Sequence, residues 1–304
     1  MHTQEWQQNF REKGYVVLRG FLSAEEISYY TTKLETLSGI SRGKMSTSGK
    51  KGRLGQRGLD TSWSTPDGVT KNPDFWPLIT HERLVTAVRD LLGNDIRFLQ
   101  HTDLHVGFSA ISWHRDSVNR DFGKGPDWNE SDAPYQLVRA GIYLQSYAES
   151  GFRLGFIPGS HRPQAQISLG RRLQETRLKW VGAMSYLFVK LQEWASQAEW
   201  IATEPGDCLI FDPRILHSGS YITGPKYSMF LGYGIENKHF FNHANYYRRL
   251  RSELGYADMA PELAQRLQAA GLYPQHLPTM DKIDDAWVPP QLMKNLVGRG
   301  LKKA

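Results

Sequence analysis

From Ile96 to Tyr233 the chain keeps returning to short runs of β-branched and aromatic residues. They are Ile96–Leu99, Leu104–Phe108, Val138–Gln145, Leu154–Ile157, Cys208–Phe211 and Ser228–Tyr233. Turn clusters such as Ile157-Pro-Gly-Ser160 and Glu204-Pro-Gly-Asp207 separate them. Parallel strands need long, usually helical, crossovers, and no regular series of such crossovers is present. The pattern therefore predicts antiparallel sheets folded into a sandwich or barrel. The 28 Gly and 15 Pro suit such a turn-rich fold better than a helical bundle.

Helices are expected on either side of this β core. Tyr15–Leu18 reads as a strand bounded by Gly14 and Gly20. Ser23-Ala-Glu-Glu26 is a capping-box pattern and opens a helix to about Leu37, with Ile27, Tyr30, Leu34 and Leu37 on one face. A second helix is predicted from near Thr80 to Leu92, with Gly93 as its stop. Ile167–Glu199 and Asn237–Leu272 also read as helical, and the Pro-rich tail from Pro274 as irregular. No internal repeat or linker divides the chain. The expectation is one domain over residues 1–304, with a β core at about 96–237, N-terminal helices at about 23–93 and a C-terminal helical extension at about 238–304.

Composition narrows the function classes. A single cysteine, Cys208, excludes an internal disulfide framework and a cysteine-based zinc site. No run reaches the roughly 18 apolar residues of a membrane helix, and Met1–Phe10 lacks a signal-peptide core. A soluble cytoplasmic protein without a membrane partner is expected. The net charge of +6 would suit nucleic acid or small anions. No nucleic-acid-binding motif accompanies it, so a small-molecule partner, anionic in character, is the favoured reading. Ser41–Gly58 carries six basic residues, no acid and five glycines. Such a stretch reads as a solvated surface loop, or more sharply as a lid over an anionic substrate.

The candidate chemistry lies in the histidines. In extended chain, residues i and i+2 share a side, so His114 and Asp116 of Trp113-His-Arg-Asp116 can grip one metal ion. The triplet alone is a weak signal, common on protein surfaces. His217, at the exit of the strand-and-turn run Gly206–His217, offers a third ligand. Two histidines and a carboxylate make the facial set of non-haem Fe(II) oxygenases, with the remaining positions open. His239 and His243 lie four apart but lack the glutamate of a zinc helix, and read as helix-surface residues.

Several segments, in order, resemble the phytanoyl-CoA dioxygenase family of Fe(II)/2-oxoglutarate oxygenases, which includes ectoine hydroxylase. They are Glu12–Phe21, Trp113–Asp116, Phe156-Ile-Pro-Gly-Ser-His161, Pro205-Gly-Asp207, Phe211–His217 and Met229–Tyr233, spanning roughly residues 10–237. The resemblance implies a double-stranded β-helix, the jelly roll of the cupins. It implies Fe(II) on His114, Asp116 and His217, with 2-oxoglutarate and O₂ as co-substrates and His161 as a structural turn residue. The implied reaction is hydroxylation, or another two-electron oxidation, of a small-molecule C–H bond, releasing succinate and CO₂. Related halogenases replace the carboxylate by a small residue, so Asp116 favours oxygenation.

The sequence departs from the family pattern at one place. Where relatives carry an arginine that clamps the far carboxylate of 2-oxoglutarate, alignment of Gly224-Pro-Lys-Tyr-Ser puts Lys226. Lysine supplies the charge without the bidentate fork. Arg139 is the alternative clamp, Lys226 then being a turn lysine. His105 matches a polar residue that touches the co-substrate in relatives. The Lys226 departure also admits a second class of function, a non-catalytic jelly-roll binding protein with a degenerate site.

Overall fold

The computed structural model describes residues 4–44, 56–110, 113–120, 122–163, 198–250 and 254–277, with 169–170, 173 and 176–178 between them. Nine strands occur among them: β1 Tyr15–Leu18, β2 Gln56–Pro66, β3 Ile96–Ala110, β4 Leu137–Tyr143, β5 Arg153–Phe156, β6 Glu199–Ala202, β7 Asp207–Phe211, β8 His217–Gly219 and β9 Tyr227–Ile235. They form a six-stranded sheet ordered β1-β7-β4-β9-β3-β2 and a three-stranded sheet ordered β6-β5-β8. Every pairing is antiparallel. These two facing antiparallel sheets are the jelly-roll expected from the strand pattern.

Alternation along the strands decides which side chains face which layer. On the large sheet Val138, Ala140 and Ile142 of β4, Cys208 and Ile210 of β7, and Met229, Leu231 and Tyr233 of β9 join one apolar cluster. Helices α1 Gln4–Lys13, α2 Ala24–Ser38, α3 Glu82–Leu92 and, later in the chain, α5 Pro261–Ala269 cover that face with residues such as Phe10, Leu34, Val88 and Leu263. The intervening positions, including Tyr143, Leu209 and Phe211, pack against Leu154 and Phe156 of β5 between the sheets. Helices thus cover one face, and the other lines the interior that holds the site.

The capping box forms as the sequence implies: the Ser23 hydroxyl accepts from the Glu26 amide at 3.2 Å, and Glu26 accepts from the Ser23 amide at 2.8 Å. The predicted C-terminal helix is broken. Helix α4, Lys238–Asn245, widens into a π turn at Tyr246–Leu250, and α5 restarts at Pro261. Gly255 at φ +66° and Pro261 as the first residue of α5 enforce the break. Ile96–Leu99 and Leu104–Phe108 are two halves of one long strand, β3. Residues 45–55, inside the basic Gly-rich segment, lie outside the described residues, as do most of 164–197 and all of 278–304.

Candidate active site

The turn after β7 assembles the site. Asp212 caps it by accepting from the Arg214 amide at 2.7 Å, and the Arg214 guanidinium returns to the same carboxylate at 2.9 Å. Its Pro213 carbonyl accepts from the Asp116 and Ser117 amides at 2.9 and 3.0 Å. One rung further, His114 and His217 exchange backbone hydrogen bonds at 2.9 and 3.0 Å. The Trp113–Asp116 segment is therefore tied by its main chain to the run that ends at His217.

This places the two imidazoles and the carboxylate together. His114 Nε2 and His217 Nε2 each lie 3.8 Å from an Asp116 oxygen. One ligand atom from each of the three residues lies within 4.8 Å of the other two, the only such His/Cys/Asp/Glu group among the described residues. The Nδ1–H of His217 donates to the Ile215 carbonyl at 3.0 Å, which leaves Nε2 as the bare nitrogen facing Asp116. Burial pushes His217 down to about 4, so its ring is neutral and able to ligate. Burial alone would raise the carboxyl of Asp116, but His217, Arg139, His114 and Arg120 together hold it well below the usual range. Neutral imidazole, a bare Nε2 and an ionised carboxylate are the donor states a divalent metal needs.

The three residues open onto a cavity of about 350 Å³, which Lys226 and His105 also line. Lys226 immediately precedes β9, is 2% exposed, and donates to the Ser228 hydroxyl at 2.8 Å. Its ammonium sits 4.6 Å from the Phe152 ring centre and 5.6 Å from that of Tyr143. Among the described residues no carboxylate pairs with it. Burial pushes its pKa down to about 7. A buried lysine with only a hydroxyl and two ring faces for company has the charge and the donors to pair with an anion. His105 stands opposite Ser228 in the β3–β9 register, and burial, then the Lys226 and Arg139 charges, keeps it neutral.

Arg139, the alternative clamp, is already engaged. Its Nη2 bonds Asp103 at 2.8 Å, its Nη1 donates to the His101 carbonyl, and its Nε lies 3.5 Å from Asp116. It bridges two carboxylates and steadies Asp116. His161 is buried, with Nε2 on the Arg11 carbonyl at 3.2 Å and its ring against Gly14, far from any ligand role. The helix-surface reading of His239 and His243 is corrected: both are fully buried. His239 bonds the Ala133 carbonyl at 3.1 Å, and His243 Nε2 meets His101 Nδ1 at 2.9 Å.

Sequence reasoning passed over His101 and Asp103, although they alternate with His105 along β3 and all three line the cavity. Polar residues at i, i+2 and i+4 of an otherwise apolar strand were the available signal. Arg120 and Tyr256, which also line the cavity, lie on irregular segments, and Tyr247 lies in the π turn after α4; none of the three gave a signal.

The phytanoyl-CoA dioxygenase family profile matches residues 10–228. No curated protein matches the sequence. Solved structures resemble the fold. HygX from Streptomyces hygroscopicus, with nickel and 2-oxoglutarate bound, is 20% identical, with 77% of this chain and 87% of that one covered at a TM-score of 0.53. EctD from S. alaskensis with bound Fe is 18% identical, covering 79% and 80% at 0.51. SnoK, an α-ketoglutarate-dependent carbocyclase from nogalamycin biosynthesis, is 18% identical, covering 77% and 84% at 0.51. With the profile spanning well over half of its length, this chain belongs to the phytanoyl-CoA dioxygenase family.

Proposed function

We propose that this protein is an Fe(II)- and 2-oxoglutarate-dependent dioxygenase, a single oxygenase domain that oxidises a C–H bond of a small molecule. In this reading His114, Asp116 and His217 hold the iron. Lys226 pairs with the far carboxylate of 2-oxoglutarate, and His105 offers it a neutral N–H. Once bound, iron with 2-oxoglutarate and O₂ supplies the oxidising equivalents, the co-substrate leaving as succinate and CO₂. The chain supplies the rest. Ile215 fixes the His217 tautomer, Arg139 steadies the Asp116 carboxylate, and the aromatic wall of Tyr143, Phe152 and Phe230 keeps water from the Lys226 end. The observation that carries the reading is a metal-capable triad and an unpaired buried ammonium on one cavity.

Hydroxylation is the first choice of outcome, because Asp116 occupies the ligand position that a halogenase leaves empty. The structural neighbours include a carbocyclase and an epimerase, so oxidative ring closure and redox-neutral inversion at the same C–H position stand beside it. The test is O₂-dependent succinate formation from 2-oxoglutarate by the iron-loaded protein. The parent should form succinate, and His114→Ala and His217→Ala should match the protein-free blank. Full turnover in His217→Ala would reject the assignment.

A further inference from the structure

The charged residues that line the cavity do not balance, and the imbalance sits at one place. Among the described residues they are Asp103, Asp116, Arg120, Arg139 and Lys226. Arg139 is bound between Asp103 and Asp116. On the functional reading above, which this inference rests on, Lys226 neutralises the far carboxylate of 2-oxoglutarate. The near carboxylate and Asp116 neutralise a divalent metal. Arg120 alone is left over.

Arg120 is exposed yet lines the cavity, so it stands at the mouth. Tyr247, a neutral residue, and Asp116 are among the groups its charge acts on. The Tyr247 hydroxyl donates to the Asp116 carbonyl at 3.3 Å, and Arg120 lines the same cavity as both. Tyr247 is itself held, its ring stacked on His101 at 3.6 Å. No carboxylate among the described residues forms a close ion pair with Arg120; Asp116 feels its charge only from further off. A guanidinium offers a planar fork of donors that matches a carboxylate, and most of this fork is unused.

Outside the Lys226 end, the cavity lining includes the apolar or aromatic Pro66, Leu254, Tyr247 and Tyr256. The volume of about 350 Å³ is at the lower end of the ~300–1,000 Å³ usual for ligand sites, and the co-substrate takes part of it. We propose that the substrate is a small organic monocarboxylate with an apolar body, held through its carboxylate by Arg120. A single negative charge balances the loaded cavity, whereas a phosphate dianion would leave it negative.

The test uses protein loaded with Zn(II), which binds without turnover, and saturated with 2-oxoglutarate. Hexanoate, benzoate and phenylacetate are titrated by calorimetry, each against its own amide. At least one carboxylate should bind about tenfold or more tightly than its amide, the worth of one charge-assisted hydrogen bond. Arg120→Gln should erase that preference and Arg120→Lys should keep part of it. Both variants should unfold at the parent's temperature, because the residue is exposed. Equal binding of acid and amide, or a preference that survives Arg120→Gln, overturns the proposal. Failure of 2-oxoglutarate to bind in the first titration overturns the functional reading as well, so the two failures are told apart.

Discussion

Lys226 concentrates the chemistry of the co-substrate end in one side chain. Its pKa lies near 7 because burial penalises the ammonium. The sign for stability follows. Between about pH 7 and the lysine's ordinary value near 10, the unfolded chain binds a proton that the folded chain does not, so the Lys226 contribution to stability grows as pH rises through that window. A dianion bound at Lys226 restores the proton. Titration of 2-oxoglutarate at pH 8 in buffers of different ionisation enthalpy should therefore show uptake of up to about one proton, and Lys226→Met should abolish it. Lys226→Ala should weaken 2-oxoglutarate binding by about 2–4 kcal/mol, the usual loss for one partner of a buried charge pair. Lys226→Arg need not restore it, since the fork must fit between Phe152, Tyr143 and Ser228. Arg139 is the structural counterpart. Replacing it with Met leaves Asp103 and Asp116 without their shared cation and should cost about 3–5 kcal/mol in denaturant unfolding. A loss under 1 kcal/mol would show that the bridge does not hold the two carboxylates.

Strand β3 shows how one irregularity shapes the site. Its pairing with β9 shifts between Leu99 and Asp103, where Gln100, His101 and Thr102 of β3 face the single residue Leu231 of β9. Gly232 makes the shift possible: a Cβ there would stand 2.6 Å from the Leu99 carbonyl oxygen. Gly232→Ala should destabilise by about 1–3 kcal/mol, as overpacking does, and thermal unfolding will measure it. An unchanged melting temperature would mean the two strands separate freely. This bulge also explains the split reading of β3 from sequence. Gln100, His101 and Thr102 are polar interruptions that split an apolar run into two segments. Strands β2, β6 and β8 were missed for a related reason. Trp63-Ser-Thr-Pro66 and His217-Ser-Gly219 lack the β-branched runs that mark a strand, and tertiary pairing alone makes them extended. The α2 start was legible because a capping box is purely local.

Across the whole molecule, the alternation of apolar residues carried the architecture. Positions such as Val138, Ala140 and Ile142 specify a helix-covered face, and the residues between them specify an interior. The metal-capable group was legible because two of its members are i and i+2 neighbours and the third ends a strand. Tyr247 was not, because it meets Asp116 only through the folding of a segment far away in sequence; Arg120, four residues on from Asp116, sits in an irregular stretch with no periodicity to aim it. The central claim is that one cavity binds metal and 2-oxoglutarate together, with the metal forming part of the co-substrate site. Anaerobic calorimetric titration of 2-oxoglutarate into Fe(II)-loaded protein tests it most directly. The parent should bind one equivalent, and omission of Fe(II) or the His217→Ala substitution should weaken binding at least about tenfold, or 1.4 kcal/mol. Binding of equal strength with and without Fe(II) would contradict the account.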